Sequence, residues 1–248
     1  MIPSPFASID ADDYQRLRRD YPREPIDWFI AEAELAPGSR MLDAGAGTGQ
    51  ATRVLSSAGM NAIAMEPAPN LRQKLHDVVP DGAVVGAKAE ALPFRDGSLD
   101  AVVSAQSFQW FDGPRAVPEL HRVLRPGGAL AVVWIESDEG STLHQEMWEA
   151  AGEDPPEGSA IDQAQERWRG SFDRTELFGP FRTATFPFVR RLQSADLPRF
   201  IATSSDIAVL PNDRRARALR AVEEWAERLP PEVEIPLLTE VNLSFREG

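Results

Sequence analysis

The 248-residue chain has no cysteine, so disulfides, iron–sulfur clusters and a cysteine nucleophile are all excluded, and with them radical chemistry and thiol-based covalent catalysis. It has only three histidines, with no metal-ligand spacing among them, and no metal site is expected. There is no long apolar run and no signal-like N-terminus, which leads us to expect a cytoplasmic protein without a membrane partner. Cations are scarce: 26 Lys and Arg stand against 39 Asp and Glu, a formal net charge of −13, so the average surface repels nucleic acid and anionic lipid. Arginines cluster at Arg16, Arg18, Arg19 and Arg23 and again at Arg214, Arg215, Arg217 and Arg220, the second group spread around a helix as a solvated face would be. The 42% hydrophobic content suffices for one full core.

What the chain does have is concentrated at Met41–Gln50, where a short apolar strand reaches Asp43 and then Gly45, Gly47 and Gly49 before a helical pattern from about Thr48. Glycine allows the positive φ of a tight strand-to-helix turn, leaves no Cβ against a ligand and exposes the first amides of the helix. A second strand, Asn61 to Met65, ends in Glu66 and Pro67. Glu66 lies about twenty residues beyond the first glycine, the spacing at which a carboxylate at the next strand tip accepts both hydroxyls of a ribose. The competing reading is an ordinary α/β turn and a surface glutamate. A dinucleotide fingerprint would need glycine where Gln50 stands, which disfavours a nicotinamide oxidoreductase.

Asp43 followed by Gly-Ala-Gly-Thr-Gly resembles motif I of the class I S-adenosylmethionine-dependent methyltransferases, and several further stretches resemble its small-molecule, type 11-like subgroup. These are the tyrosine- and arginine-bearing entry at Tyr14, Arg16, Arg18, Tyr21 and Pro22, the Ala-Glu-Ala-Leu-Pro-Phe loop at 89–94, Ala105 to Asp112, and Arg-Val-Leu-Arg-Pro-Gly-Gly at 122–128. The resemblance is specific from Tyr14 to Trp134. It implies S-adenosyl-L-methionine as cofactor, held by Asp43, Ala44, Gly45, Gly47 and Gly49, by Glu66 and Pro67 at the ribose, by Lys88, Ala89 and Glu90 at the adenine edge, and by Gln106 and Ser107. Tyr14 and Arg18 would cover the methionine carboxylate, although a surface helix with an arginine face explains them equally well. Lys88 stands where many relatives carry aspartate, leaving the backbone as the adenine contact. Gln109, Trp110 and His144 are the candidate catalytic residues. Gln109 occupies a position that is often histidine, and an amide cannot act as a base. His121 is expected to be structural.

Strands alternate with helices through the first half of the chain, as in a parallel sheet covered on both faces. Helices are expected over Ile9–Arg19, Pro25–Ala36, Thr48–Ser57, Asn70–Val78, Gly113–Leu124, Thr142–Ala151, Gln163–Gly170, Ala195–Thr203 and Asn212–Leu229. Strands are expected from about Met41 into Asp43 and over Asn61–Met65, Gly82–Val85, Ala101–Ser104, Ala129–Ile135, Thr183–Leu192 and Ile235–Phe245. The fold class is therefore α/β: a Rossmann-like, doubly wound, mostly parallel seven-stranded sheet with an antiparallel last strand and a helical lid insertion. We expect a single domain, 1–248, with residues 1–36 as an N-terminal cap and 137–181 as the lid. It would act as a monomer or homodimer on a small-molecule substrate. A cofactor-binding regulator, cyclase or isomerase remains the alternative to a methyltransferase.

Overall fold

The computed structural model describes residues 10–18, 21–79, 84–137, 141–153, 168–173 and 175–248. In order these form α1 (Ala11–Leu17), α2 (Arg23–Glu32), β1 (Arg40–Ala44), α3 (Gln50–Ser57), β2 (Asn61–Met65), α4 (Pro69–Val78), β3 (Val84–Val85), β4 (Leu99–Ala105), α5 (Gly113–Val123), β5 (Leu124–Ser137), α6 (Thr142–Ala151), β6 (Arg182–Gln193), α7 (Leu197–Ala202), α8 (Ser205–Ala208), α9 (Asn212–Ala226) and β7 (Glu232–Phe245). Residues 168–172 are also helical. The seven strands form one mixed sheet in the order β3-β2-β1-β4-β5-β7-β6, with the last strand antiparallel, as expected. Among the described residues no helix is long and apolar enough to cross a membrane.

Two compact units share the chain. One comprises Tyr21–Ile135, Ala164–Phe186 and Thr239–Gly248, and the other Met1–Asp20, Glu136–Gln163 and Pro187–Leu238. In the first, β1 pairs in parallel with β2 and β4, and β4 pairs in parallel with β5. Side chains alternate across this sheet. Leu42, Ala44, Ile63, Met65, Val102, Leu130 and Val132 enter one layer, where Ala116, Val117, Leu120 and Val123 of α5 cover them. Met41, Ala62, Ala101, Val103, Ala129, Ala131 and Val133 enter the other, against Ile26 and Phe29 of α2 and Leu55 of α3. With both faces buried, the strands can be almost wholly apolar, and the carboxyl edge is the part of the sheet left for polar chemistry.

The strand β5 begins at Leu124, well before the expected Ala129. The Arg-Pro-Gly-Gly stretch falls within the strand, with Leu124 in register with Leu99 and an irregularity before Ala101. Gly127 takes a φ of +67°, and a Cβ on Gly128 would lie 2.8 Å from the Arg125 carbonyl oxygen. The helix expected over Ala195–Thr203 opens as a tight three-residue turn, Ser194–Asp196, and becomes α-helical only at Leu197, where Pro198 fits the first turn. Of the helix expected over Gln163–Gly170, residues 163–167 lie outside the described residues, as do Gly82 and Ala83 of the expected third strand. Residues 168–181 supply Trp168, Phe172, Phe178 and Phe181 to an aromatic cluster with Phe108, the rings of Phe172 and Phe181 lying 5.0 Å apart.

In the second unit, α1 is capped by the Asp10 carboxylate, which accepts from the backbone N–H groups of Asp12 and Asp13. Arg16 bridges to Asp196 at 2.8 Å, and α6 opens on Ser141, whose hydroxyl accepts from the N–H of His144.

Candidate functional site

The chain leaves β1 at Ala44 and turns through Gly45, Gly47 and Gly49, at φ of +78°, +59° and +91°. These conformations cost side-chain-bearing residues strain that glycine avoids. Gly45 is required a second way, because a Cβ there would sit 2.6 Å from that of Ser107. At Gly47 nothing lies within 4 Å of where a Cβ would point, so this face of the turn is bare. The helix α3 starts at Gln50, two residues later than expected, because left-handed Gly49 is its cap. Gln50 is buried, and its side-chain oxygen accepts from the Thr48 hydroxyl.

Two carboxylates stand at neighbouring strand tips: Asp43 is in register with Ala64 of β2, and Glu66 directly follows the last residue of β2. Asp43 is fully buried and its Oδ2 accepts from the Thr52 hydroxyl at 2.5 Å. Burial pushes its pKa up to about 6, partly opposed by the hydroxyl and N–H of Thr52 and reinforced by the like charge of Glu66. Its other oxygen, Oδ1, is buried without a hydrogen-bond partner. Glu66 turns back to the glycine loop, where Oε2 accepts from the Gly47 N–H at 2.9 Å and Oε1 from the Ala68 N–H at 2.8 Å. Burial raises its pKa too, and those two amides and Arg72 hold it down. Each oxygen keeps a lone pair beyond its amide bond, so the carboxylate can still accept two hydroxyls.

Neighbouring groups fix this edge. The guanidinium of Arg72 donates to the carbonyls of Glu66 and Pro67 at 2.8 and 3.0 Å and lies flat against Gly86, where a Cβ would meet it at 2.9 Å. After β3, Lys88 is exposed and bridged to Ala91, Ala89 is buried, and Glu90 accepts from the Asp112 N–H at 2.7 Å. Arg122 and Glu119 of α5 hold the rest of that loop: Arg122 donates to the carbonyls of Leu92 and Phe94, and Glu119 accepts from the Leu92 N–H.

At the tip of β4, Gln106 has a φ of +55°, a strained position for a residue with a side chain, and its amide donates to the Ile135 carbonyl at 2.7 Å. Ser107 joins this tip to the glycine turn, its hydroxyl donating to the Ala44 carbonyl at 2.6 Å. Gln109 follows on a short helical turn and donates to the Gln106 carbonyl at 3.1 Å, which sets the orientation of its amide and leaves Oε1 buried without a partner. Trp110 is half-buried beside it.

The structure thus gathers Asp43, Ala44, Gly45, Gly47, Gly49, Glu66, Pro67, Gln106, Ser107 and Gln109 at one sheet edge within one unit. Tyr14, Arg18 and His144 belong to the other unit. There Arg18 donates to Thr203 at 2.8 Å and lies over the Phe200 ring, and burial, with the Arg18 charge, lowers the pKa of His144. His121, expected to be structural, lies 3.0 Å from the Glu247 carbonyl and packs edge-on to Phe178. Sequence reasoning missed Thr52, Arg72 and Glu119, and singled out Arg122 only as the first residue of the 122–128 stretch, without its partner; Thr52 was signalled as a polar residue on the buried face of α3.

A doubly wound sheet with a glycine turn after its first strand and an acid after its second is the frame of nucleoside-binding domains, and residues 42–132 match the family described as a methyltransferase domain. A methyltransferase-like protein of Schizosaccharomyces pombe is 30% identical over 222 residues, covering 89% of this chain and 86% of its own. The chain belongs to the class I S-adenosylmethionine-dependent methyltransferase family. An uncharacterised methyltransferase of Mycobacterium tuberculosis H37Rv is 41% identical over 141 residues, so that the match spans 57% of this chain and only 56% of the relative. The solved structure of a type II methyltransferase from Anaeromyxobacter dehalogenans superposes with a TM-score of 0.64 at 22% identity, covering 93% of this chain and 97% of the other, and attests to the fold.

Proposed function

We propose that the chain transfers a methyl group from S-adenosyl-L-methionine to an oxygen, nitrogen or carbon nucleophile of a small organic acceptor. The observation that carries this reading is the pairing of the bare Gly47 face with the carboxylates of Asp43 and Glu66 at adjacent strand tips. These residues fit the cofactor chemically. Glu66 has two lone pairs for a ribose diol, the unpartnered Oδ1 of Asp43 calls for a donor, and a turn without side chains suits a ligand lying on backbone. Ala89 and Glu90 would meet the adenine edge through backbone, and Gln106 and Ser107 would close the turn. The roles of Tyr14 and Arg18 at the methionine carboxylate rest on the sequence resemblance.

Bound there, the cofactor supplies a methyl group already activated by a sulfonium charge. The chain's own task is alignment and exclusion of water, which for a well-oriented pair lowers a barrier by about 7–11 kcal/mol without an acid or a metal. Gln109 can orient a nucleophile but cannot take its proton, so the β4 tip suits an acceptor that arrives deprotonated, such as an amine or carboxylate. The candidacy of His144, which belongs to the other unit, rests on the sequence reading. The absence of a base at Gln109 also keeps open a cofactor-binding regulator, cyclase or isomerase.

Calorimetric titration of the purified chain with S-adenosylmethionine, S-adenosylhomocysteine and NADH tests the reading. Micromolar binding of the two sulfur ligands and none of NADH is expected, followed by release of S-adenosylhomocysteine with an acceptor. Binding of neither sulfur ligand would overturn it, and binding without turnover across acceptor classes would favour the regulator or cyclase.

A further inference from the structure

We propose that Thr52 is a positioning residue for the cofactor's α-ammonium group, acting through Asp43. The inference rests on the cofactor reading above and adds a residue and a ligand group to it. Its starting point is an asymmetry between the two oxygens of one carboxylate. Oδ2 of Asp43 takes the Thr52 hydroxyl at 2.5 Å, a short charge-assisted bond between two side chains that are both fully buried. Oδ1 is buried and takes nothing. A buried carboxylate oxygen left without a donor is costly, so a carboxylate kept in this state is poised for a donor that arrives with the ligand.

The identity of that donor follows by matching charge. Glu66, whose oxygens each hold one backbone amide, has the strand-tip position and the free lone pairs for the ribose diol. The remaining group of the cofactor that both carries positive charge and donates hydrogen bonds is the α-ammonium of its methionine end; the sulfonium has no N–H or O–H. Arg72, which faces Glu66, is committed to the carbonyls of Glu66 and Pro67 and does not neutralise Asp43. Thr52 therefore has two effects. It locks the rotation of the carboxylate so that Oδ1 is the open oxygen, and it favours the ionised form, against burial and against the like charge of Glu66.

The test uses the full chain with two probes, S-adenosylhomocysteine, which has the amino-acid end, and 5′-methylthioadenosine, which lacks it. Thr52→Val removes the hydroxyl and keeps the branched shape; Thr52→Ser keeps the hydroxyl. We expect Thr52→Val to bind S-adenosylhomocysteine about tenfold more weakly, one hydrogen bond to a charged group, while methylthioadenosine binding changes less than about twofold. The pH at which S-adenosylhomocysteine affinity falls by half on acidification should move up by about one unit in Thr52→Val and stay in place in Thr52→Ser. Equal loss of both probes, an unmoved pH midpoint, or a selective loss in Thr52→Ser would overturn the proposal. If Thr52→Val does not fold, the serine variant and the wild-type pH profiles for the two probes decide: protonation of Glu66 weakens both probes through the ribose, so the probe with the amine should lose more affinity on acidification than methylthioadenosine, and equal losses would overturn the proposal. Failure of the wild type to bind either probe would instead remove the cofactor reading beneath it.

Discussion

The tips of β1 and β2 and the tip of β4 lie along one edge of the same sheet but are built from opposite chemistry. The first two end in carboxylates, Asp43 and Glu66, buried, raised in pKa and held by a hydroxyl and by backbone amides. The third ends in amides and aromatics, Gln106, Gln109 and Trp110, with no titratable side chain from Ala105 to Phe111. Under the proposed function the difference would divide the work: charge would serve a cofactor that stays the same from turnover to turnover, and the neutral tip would shape the acceptor.

Breaking the charged side most directly, Asp43→Asn should change how stability depends on pH. The folded chain holds a proton on Asp43 up to about pH 6, whereas the unfolded chain releases it near the ordinary aspartate value of 3.8. The folded state thus binds more protons between those values, and its stability falls as pH rises through that window. The loss from this one group is about 3 kcal/mol, complete above pH 7. Urea melts from pH 4 to 8 should show that decline in the wild type and a flatter profile in Asp43→Asn; identical profiles would refute a buried, raised Asp43.

A second break targets the joint between the two tips. Gly45→Ala places a Cβ 2.6 Å from that of Ser107 at a φ of +78°, and should destabilise the chain by about 2 kcal/mol. Gly47→Ala has the same sign of φ but open space, so it should cost about 1 kcal/mol of stability while interfering with the ligand. Thermal melts without and with S-adenosylhomocysteine separate the two, since only Gly45→Ala should lose mainly the ligand-free value. The smallest effect is expected on the neutral side, where Gln109→Leu should leave S-adenosylhomocysteine affinity within about twofold, read by calorimetry, because no charge or backbone amide of the cofactor pocket is altered.

Much of the fold was legible because its constraints are local and periodic. Met41 and Leu42, and Ala62 to Met65, are unbroken apolar runs of the kind a strand buried on both faces needs, and the glycines at 45, 47 and 49 sit where the backbone turns left-handed. The gathering of the glycine turn, Asp43 and Glu66 at one sheet edge was legible for the same reason. Side-chain partnerships were not: Thr52 reaches Asp43 from nine residues away, and Arg72 reaches the Glu66 carbonyl only once α4 has folded back along β2. The start of β5 was hidden because Arg-Pro-Gly-Gly favours a turn on local grounds, and pairing with Leu99 overrides it. No acceptor was legible, because the residues at the β4 tip orient a ligand without naming its reacting atom.

The most direct test of the central claim is calorimetric titration of Glu66→Ala and Glu66→Gln with S-adenosylhomocysteine, beside the wild type. If the β2 tip holds the ribose, Glu66→Ala should lose about 100-fold in affinity, as expected for two hydroxyl bonds to a buried carboxylate, and Glu66→Gln somewhat less. Wild-type affinity in Glu66→Ala, with the fold intact by circular dichroism, would contradict the account.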